Sequence, residues 1–451
     1  MIQKNEEFEV EILDMGFEGE GIAKIDGYTV FIKGALKGEK VKIKILKANK
    51  DYGFAKLLEV IEPSEIRVEP DCEVFSRCGG CNLQHMDYYA QMQLKTDLVK
   101  NTLRKSLGYE PSVEPTIGML RPYNYRNKAQ YPVIDGKIGF YAGRTHALIE
   151  NEKCYIQNET IDSLAKDAFR VTQKYNVSTY SEKTGEGLLR HIVTRIGVNT
   201  GEIMLTLVTN GEKMPHAEEI VAEITAKYPD LKSIIQNINK ENGNVILGRE
   251  CKTLFGQDYI EDELEGYRFK ISPLSFYQVN PQQTAVLYNT AKEFAELTGE
   301  ENVFDLYCGI GTIGIFVADK AKNVFGVEIV PQAIENAKEN AKLNGITNVE
   351  FICGSAEEVI PAKYQEGKKA DVVFVDPPRK GCDVQLLETL KEMKAKKIVY
   401  VSCNPATLAR DLKYLTDNGY EIKKVQPVDM FPQTCHVESV VLLELLESAE
   451  K

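Results

Sequence analysis

Residues 303–314 read VFDLYCGIGTIG. Val303–Tyr307 is an apolar, β-rich run of strand length, and it opens directly into Cys308-Gly309-Ile310-Gly311-Thr312-Ile313-Gly314 and then an apolar helix. Glycines at such a turn let the backbone approach a ligand and let the helix pack against the sheet. The unit then repeats. VFGVE at 324–328 is a second strand, Pro331–Asn344 a helix stopped by Gly345, VEFI at 349–352 a third strand, and DVVFVD at 371–376 a fourth, opening into Pro377-Pro378-Arg379-Lys380-Gly381. Strands alternating with helices in this way define a doubly wound, Rossmann-like sheet, assigned to residues 261–451.

Two cofactor classes suit that sheet. Gly309, Gly311 and Gly314 satisfy the dinucleotide fingerprint, and Glu328 lies near the expected spacing, where it can accept both hydroxyls of a ribose. Asp305 within the first strand, and Asp-Pro-Pro after the fourth, point instead to S-adenosylmethionine. Ligands of such sheets lie across the carboxyl ends of the strands, so Asp305, Glu328 and Asp376 are expected to converge on one crevice.

The stretch KIVYVSCNPATLARDL at 397–412 supplies the reactive group. A buried strand, Ile398–Val401, turns sharply at Ser402-Cys403-Asn404-Pro405 into a helix starting near Ala406, with Pro405 tolerated in its first turn. Cys403 is thus expected at a strand's carboxyl end beside a helix N-terminus, conditions that lower a thiol's pKa and make it a nucleophile. Arg379 occupies the place after Pro-Pro where methyltransferases of exocyclic amines carry an aromatic, so an amine target loses support. Carbon 5 of a pyrimidine needs activation by a thiolate adding at carbon 6, and a base must later remove the carbon-5 proton. Cys403 fits the first role. Glu438, at the mouth of the apolar run Val440–Leu446, fits the second.

Upstream, residues 1–64 alternate β-rich runs (Phe8–Ile12, Tyr28–Ile32, Val41–Leu46) with glycine-bearing turns. Lysines 33, 37, 40, 42, 44, 47 and 50 crowd its second half, as on a solvated strand face or an RNA-binding one. The pattern resembles the TRAM domain, an OB-like β-barrel found in RNA-modifying enzymes. Residues 65–260 read as a central α/β domain, with the amphipathic helix His216–Lys227 clearest. Cys72, Cys78 and Cys81, with two glycines between the last pair, and Cys154 in EKCYIQ suit metal ligation, either structural zinc or an iron–sulfur cluster. Tyr125, Arg126, Lys128, Tyr131, Arg190, His191 and Arg195 mix cations with aromatics as RNA-contacting surfaces do.

At 451 residues the chain needs several cores. Its 43% apolar and 27% charged composition is that of a globular protein, and no apolar run approaches membrane-spanning length. The polar, acidic start is unlike a signal peptide, so a cytoplasmic location is expected, and ten cysteines there favour ligation and catalysis over disulfides. A net charge of −12 excludes nonspecific polyanion binding by the whole surface, though not a local basic face.

Taken with SFYQVNP at 275–281, DLYCGIGTIG at 305–314, DPPRKG at 376–381, SCNP at 402–405 and HVE at 436–438, the whole chain resembles the RNA uracil-C5 methyltransferase family. The resemblance implies a [4Fe-4S] cluster on Cys72, Cys78, Cys81 and Cys154, and S-adenosylmethionine held by Gln278, Tyr307, Glu328 and Asp376. It implies Cys403 as nucleophile, Glu438 as proton acceptor and Phe276 near the target base. Thr312 departs from relatives that carry asparagine there. The partner it implies is structured RNA, 23S ribosomal RNA first and the T-loop of transfer RNA second, with the enzyme a monomer. A different class, an RNA-binding iron–sulfur sensor with a vestigial methyltransferase domain, is opposed by the intact Cys403 and Glu438.

Overall fold

The computed structural model describes residues 2–446; Met1 and residues 447–451, with which the expected first and last domains begin and end, lie outside the described residues. Three sheets follow one another. The first has six strands in the order Glu7–Glu11, Lys40–Ala48, Tyr52–Glu62, Tyr28–Lys33, Gly21–Ile25 and Asp14–Met15, antiparallel except where Tyr28–Lys33 runs parallel to Tyr52–Glu62. Period-2 alternation explains it: Val41, Ile43 and Ile45 point into a core with Val10, Val30 and Ile32, while the lysines between them point out. On that outer face Lys42 lies 3.2 Å from Glu7, Lys44 3.8 Å from Glu7, Lys40 3.8 Å from Glu9 and Lys37 3.7 Å from Asp14. Much of the lysine face is therefore already paired across strands. Exposed pairs of this kind contribute about 0–1 kcal/mol each.

The central sheet runs Glu250–Gly256, Leu231–Ile238, Ile203–Thr209, Leu189–Ile196, Lys128–Ile134, Lys137–Ile138, and the helices Glu159–Lys174 and Ala217–Lys227 bury Ile161, Leu164, Ile220 and Ile224 against it. The third sheet has seven strands in the order Val349–Cys353, Asn323–Glu328, Asn302–Leu306, Val372–Val375, Lys397–Ser402, Glu438–Leu445 and Tyr420–Val428. The first five are parallel, and Glu438–Leu445 runs antiparallel to both of its neighbours. Order reverses between Asn302–Leu306 and Val372–Val375, the switch point at which doubly wound sheets open a crevice. Val372–Val375 is buried at every residue, as expected of a strand covered on both faces.

One helix crosses between these regions. Tyr88–Leu107 is capped by the Asp87 carboxylate, which accepts from Tyr89 and Ala90 N–H, and is closed by Gly108 at φ 79°. It lies in sequence before the central sheet, yet Val99, Leu103 and Leu107 pack into the core of the third sheet with Leu408 and Leu412. On the same helix the Lys95 ammonium is fully buried against Asp429, Nζ to Oδ1 2.5 Å, and the Tyr88 hydroxyl donates to Asp429 Oδ2 at 2.7 Å. Among the described residues no helix is long and apolar enough to cross a membrane.

A buried ion pair is far more costly to break than to replace. Asp429→Ala, which strands Lys95, should lower stability by about 3–5 kcal/mol in urea unfolding, whereas Lys95→Met combined with Asp429→Leu should recover most of that loss.

Candidate active site

The glycine turn sets the floor of the site. Tyr307 leaves its strand at φ 63°, unusual for a side-chain-bearing residue, and Gly309 and Gly311 follow at φ 55° and 80°. A side chain at Gly311 would also come within 2.5 Å of the Phe351 ring, so the turn admits only glycine there. Asp305 lies beneath this turn, and its Oδ2 accepts from Gly314 N–H at 2.8 Å. Burial, with Asp376 and Glu328 nearby, pushes its carboxyl up to about 8. The expectation that Asp305 would face the crevice is corrected here: it supports the turn from below and does not line the cavity. Glu328 does line it, with its carboxylate accepting from Gly309 N–H at 3.3 Å and Val330 N–H at 3.0 Å.

Cys403 and Glu438 are brought together by strand register. The strand Lys397–Ser402 pairs antiparallel with Glu438–Leu445, and the final pair is Ser402 with Ser439. One step further, Cys403 and Glu438 leave the ladder side by side. The turn at Cys403 is fixed by the helix it starts: Asn404 Oδ1 accepts from Ala406 N–H at 3.0 Å, with Pro405 in the first turn. Asn404 Nδ2 and the Thr407 hydroxyl also donate to the Arg379 carbonyl, at 3.1 and 3.2 Å. The segment after Asp-Pro-Pro is thereby tied to the cysteine turn.

Cys403, Glu438, Asp376, Glu328, Tyr307 and Gln278 all line one cavity of about 780 Å³, with Arg379 on its wall and Phe276, 70% exposed, at its rim. Burial pushes Asp376 up to about 7. Burial and the Asp376 charge push Glu438 up to about 8, and Arg379 opposes this. Cys403 does not have the lowered pKa expected of a thiol at a helix N-terminus. Burial, then Glu438 and Asp376, push it up to about 11, with Arg379 the opposing charge. Two nearby carboxyls in a dry crevice outweigh the helix end. Arg379 is thus a functional group that sequence reasoning recorded only as a missing aromatic. Tyr288 was not singled out at all; it lines the cavity and its hydroxyl donates to Thr312 Oγ1 at 3.4 Å.

The four expected ligand cysteines also meet. Cys72, Cys78, Cys81 and Cys154 are all free thiols and line a second chamber of about 420 Å³. It shares Arg126, Phe276 and Val279 with the first cavity, so the two adjoin. Among the described residues no three His, Cys, Asp or Glu side chains gather tightly enough to hold a single ion; the sulfurs surround a space instead. Gly80 N–H is directed at Cys78 Sγ, 3.4 Å away, and Gly79 lies close enough to Tyr141 and Gly143 that a side chain would crowd their backbone. Burial pushes the Cys81 and Cys154 thiols up to about 12.

Most of the expected RNA-facing aromatics and cations are inside. Tyr125, Tyr131, Arg190, His191 and Arg195 are buried. Tyr125 donates to the Pro432 carbonyl, Tyr131 to Asp162, Arg190 to the carbonyls of Asn239 and Glu241, and Arg195 to those of Ser272 and Ser275. Arg126 and Lys128 face the chamber.

Residues 220–446 match the tRNA (uracil-5-)-methyltransferase family, and residues 3–58 match the TRAM domain. An uncharacterized RNA methyltransferase of Halalkalibacterium halodurans is 51% identical over 450 residues, 98% of each chain. Another, of Listeria monocytogenes, is 53% identical over 449 residues, 99% of each chain. The crystal structure of Pyrococcus abyssi tRNA (uracil-54, C5)-methyltransferase in complex with S-adenosyl-L-homocysteine has a TM-score of 0.78 at 29% identity, covering 96% of this chain and 99% of that one.

The raised carboxyl of Glu438 makes a prediction that needs no substrate. The folded chain holds this proton up to about pH 8, whereas a free glutamate loses it near 4.5. Unfolding therefore releases a proton between those values, and stability falls as pH rises through that window. Glu438→Gln should leave the melting midpoint unchanged near pH 4 and raise it at pH 8.5; an equal midpoint at both would contradict the burial argument.

Proposed function

The chain belongs to the tRNA (uracil-5-)-methyltransferase family of RNA methyltransferases and carries a TRAM domain, and from this premise we propose that it makes 5-methyluridine in structured RNA by transient attachment of the base to Cys403. The observation that carries this reading is that Cys403 and Glu438, each one residue beyond the last pair, Ser402 with Ser439, of an antiparallel ladder, line the cavity that also holds Asp376 and Glu328. S-adenosylmethionine supplies a sulfonium-activated methyl group, and Gln278, Tyr307, Glu328 and Asp376 would hold it. The glycine turn that no side chain could enter, and the carboxylate of Glu328 on the second strand, fit an adenosine-bearing ligand at the switch point.

The chain's own residues then have defined work. Arg379 opposes the raised pKa of both Cys403 and Glu438, which favours their ionised forms. The Cys403 thiol gives its proton to solvent, its sulfur bonds to carbon 6 of the uracil, and the electron pair of the 5,6 double bond moves toward carbon 5 and oxygen 4. Carbon 5 takes the methyl group. Glu438, once ionised, is a stronger base than a free glutamate because of its raised pKa; it accepts the carbon-5 proton, the double bond re-forms, and the carbon–sulfur bond breaks. To reach Cys403 the base must leave its stack, and Phe276 at the rim is placed to meet it. Residues 1–64 would bind the RNA, 65–260 would carry the cluster cysteines, and 261–451 would perform the transfer.

A [4Fe-4S] cluster on Cys72, Cys78, Cys81 and Cys154 belongs to the same reading. A chamber bounded by four sulfurs, with an N–H aimed at one of them and glycines that let the backbone fold tightly around it, suits a bulky cationic group. The first substrate is 23S ribosomal RNA, on the strength of the TRAM-plus-cysteine arrangement. The T-loop uridine of transfer RNA is the second, favoured by the likeness to the Pyrococcus abyssi enzyme.

Cys403→Ala should abolish both turnover and covalent capture of RNA containing 5-fluorouridine; retained turnover would remove the nucleophile. Glu438→Gln should still attach and methylate but release slowly, so that a methylated enzyme–RNA adduct accumulates on denaturing gels. Anaerobically purified protein should contain iron and sulfide at about four each per chain, and zinc alone would reject the cluster. Mapping 5-methyluridine in ribosomal and transfer RNA from cells with and without the protein decides between the two substrates.

A further inference from the structure

Glu438 enters the cavity from an irregular turn, residues 431–436, and that turn is strained. Gln433 has φ 69°, a left-handed conformation that a side-chain-bearing residue keeps only where its surroundings over-determine it. Here the surroundings come from a distant part of the sequence. Asn82 N–H and Leu83 N–H both donate to the Gln433 carbonyl, each at 3.1 Å. Asn82 Oδ1 accepts from Cys435 N–H at 2.9 Å, and its Nδ2 reaches Cys435 Sγ at 3.0 Å and the Glu18 carbonyl of the barrel at 2.8 Å. Gln91 pairs with Gln433 twice. Its Nε2 donates to Gln433 Oε1 at 3.0 Å, and its Oε1 accepts from Gln433 N–H at 3.2 Å. Lys95, held by Asp429, donates to the Phe431 carbonyl at 3.3 Å. Neither Asn82 nor Gln91 lines the cavity, and Asn82 directly follows Cys81.

We propose that Asn82 and Gln91 are positioning residues for Glu438, holding the turn before it in place and tying proton removal to the loop that ends at Cys81. The inference rests on the reading of Glu438 as the acceptor of the carbon-5 proton. Proton transfer requires the acceptor within hydrogen-bond reach, so a small drift of this turn matters to that step more than to any other. The Cys403 turn is anchored separately by Asn404 and Thr407, through the Arg379 carbonyl. Loosening the first anchorage therefore leaves the attack by sulfur intact and slows elimination.

The test uses the full, cluster-loaded chain with Asn82→Ala and, separately, Gln91→Leu. Each variant should capture 5-fluorouridine RNA within about twofold of the wild-type rate, while turnover on uridine RNA falls about tenfold and methylated adduct builds up. Without RNA, amide hydrogen exchange at residues 433–438 should quicken about tenfold, with no change in the helix Pro405–Asp417. Unchanged exchange, unchanged turnover, or an equal fall in capture and turnover would each overturn the proposal. Should Asn82→Ala lose iron, Gln91→Leu, further along the chain from Cys81, decides alone. If the wild-type chain itself captures no fluorouridine RNA, the carbon-5 reading fails instead.

Discussion

Everything in this molecule answers to three buried carboxyls: Asp376 and Glu438 line one crevice, Asp305 lies beneath its floor, and Arg379 is the cation that opposes the raised pKa of Glu438 and of Cys403. Burying acids side by side is unfavourable, because each raises the cost of ionising the next. The sheet bears that cost through apolar strands covered on both faces, such as Val372–Val375, and through backbone N–H groups that meet Asp305 and Glu328. The arrangement leaves protons on groups that would ordinarily be charged. Each of these groups, once it has lost its proton, is a stronger base than its solvent-exposed counterpart.

The strands of the third sheet were legible because their signal is local. Apolar runs bounded by glycine and proline need no knowledge of partners, and 303–307, 324–328 and 398–401 fell within a residue or so of the observed elements. The strand ends were legible for a related reason: Cys403 follows one run of strand residues and Glu438 begins another, and ladder register then sets them near each other. The helix Tyr88–Leu107 was not. Its periodicity says that one face is covered, not by what, and the covering surface lies some three hundred residues later.

The errors share a cause. Tyr125, Tyr131, Arg190 and Arg195 looked like surface groups because cations and phenols are mostly exposed, and here each finds an oxygen acceptor inside the protein. The thiol of Cys403 was expected to acidify because the helix end can be read from Pro405, whereas the two carboxyls beside it arrive from other strands. Asp305 was placed in the crevice because its strand points there; the turn it supports stands in the way.

The insertion of Glu438–Leu445 between Lys397–Ser402 and Tyr420–Val428 also sets an order of events during synthesis. Of the seven strands in that sheet it is the last to be translated, and it must slot between two made before it. A growing chain on the ribosome thus holds Cys403 without its neighbouring acid until the strand Glu438–Leu445 has been made.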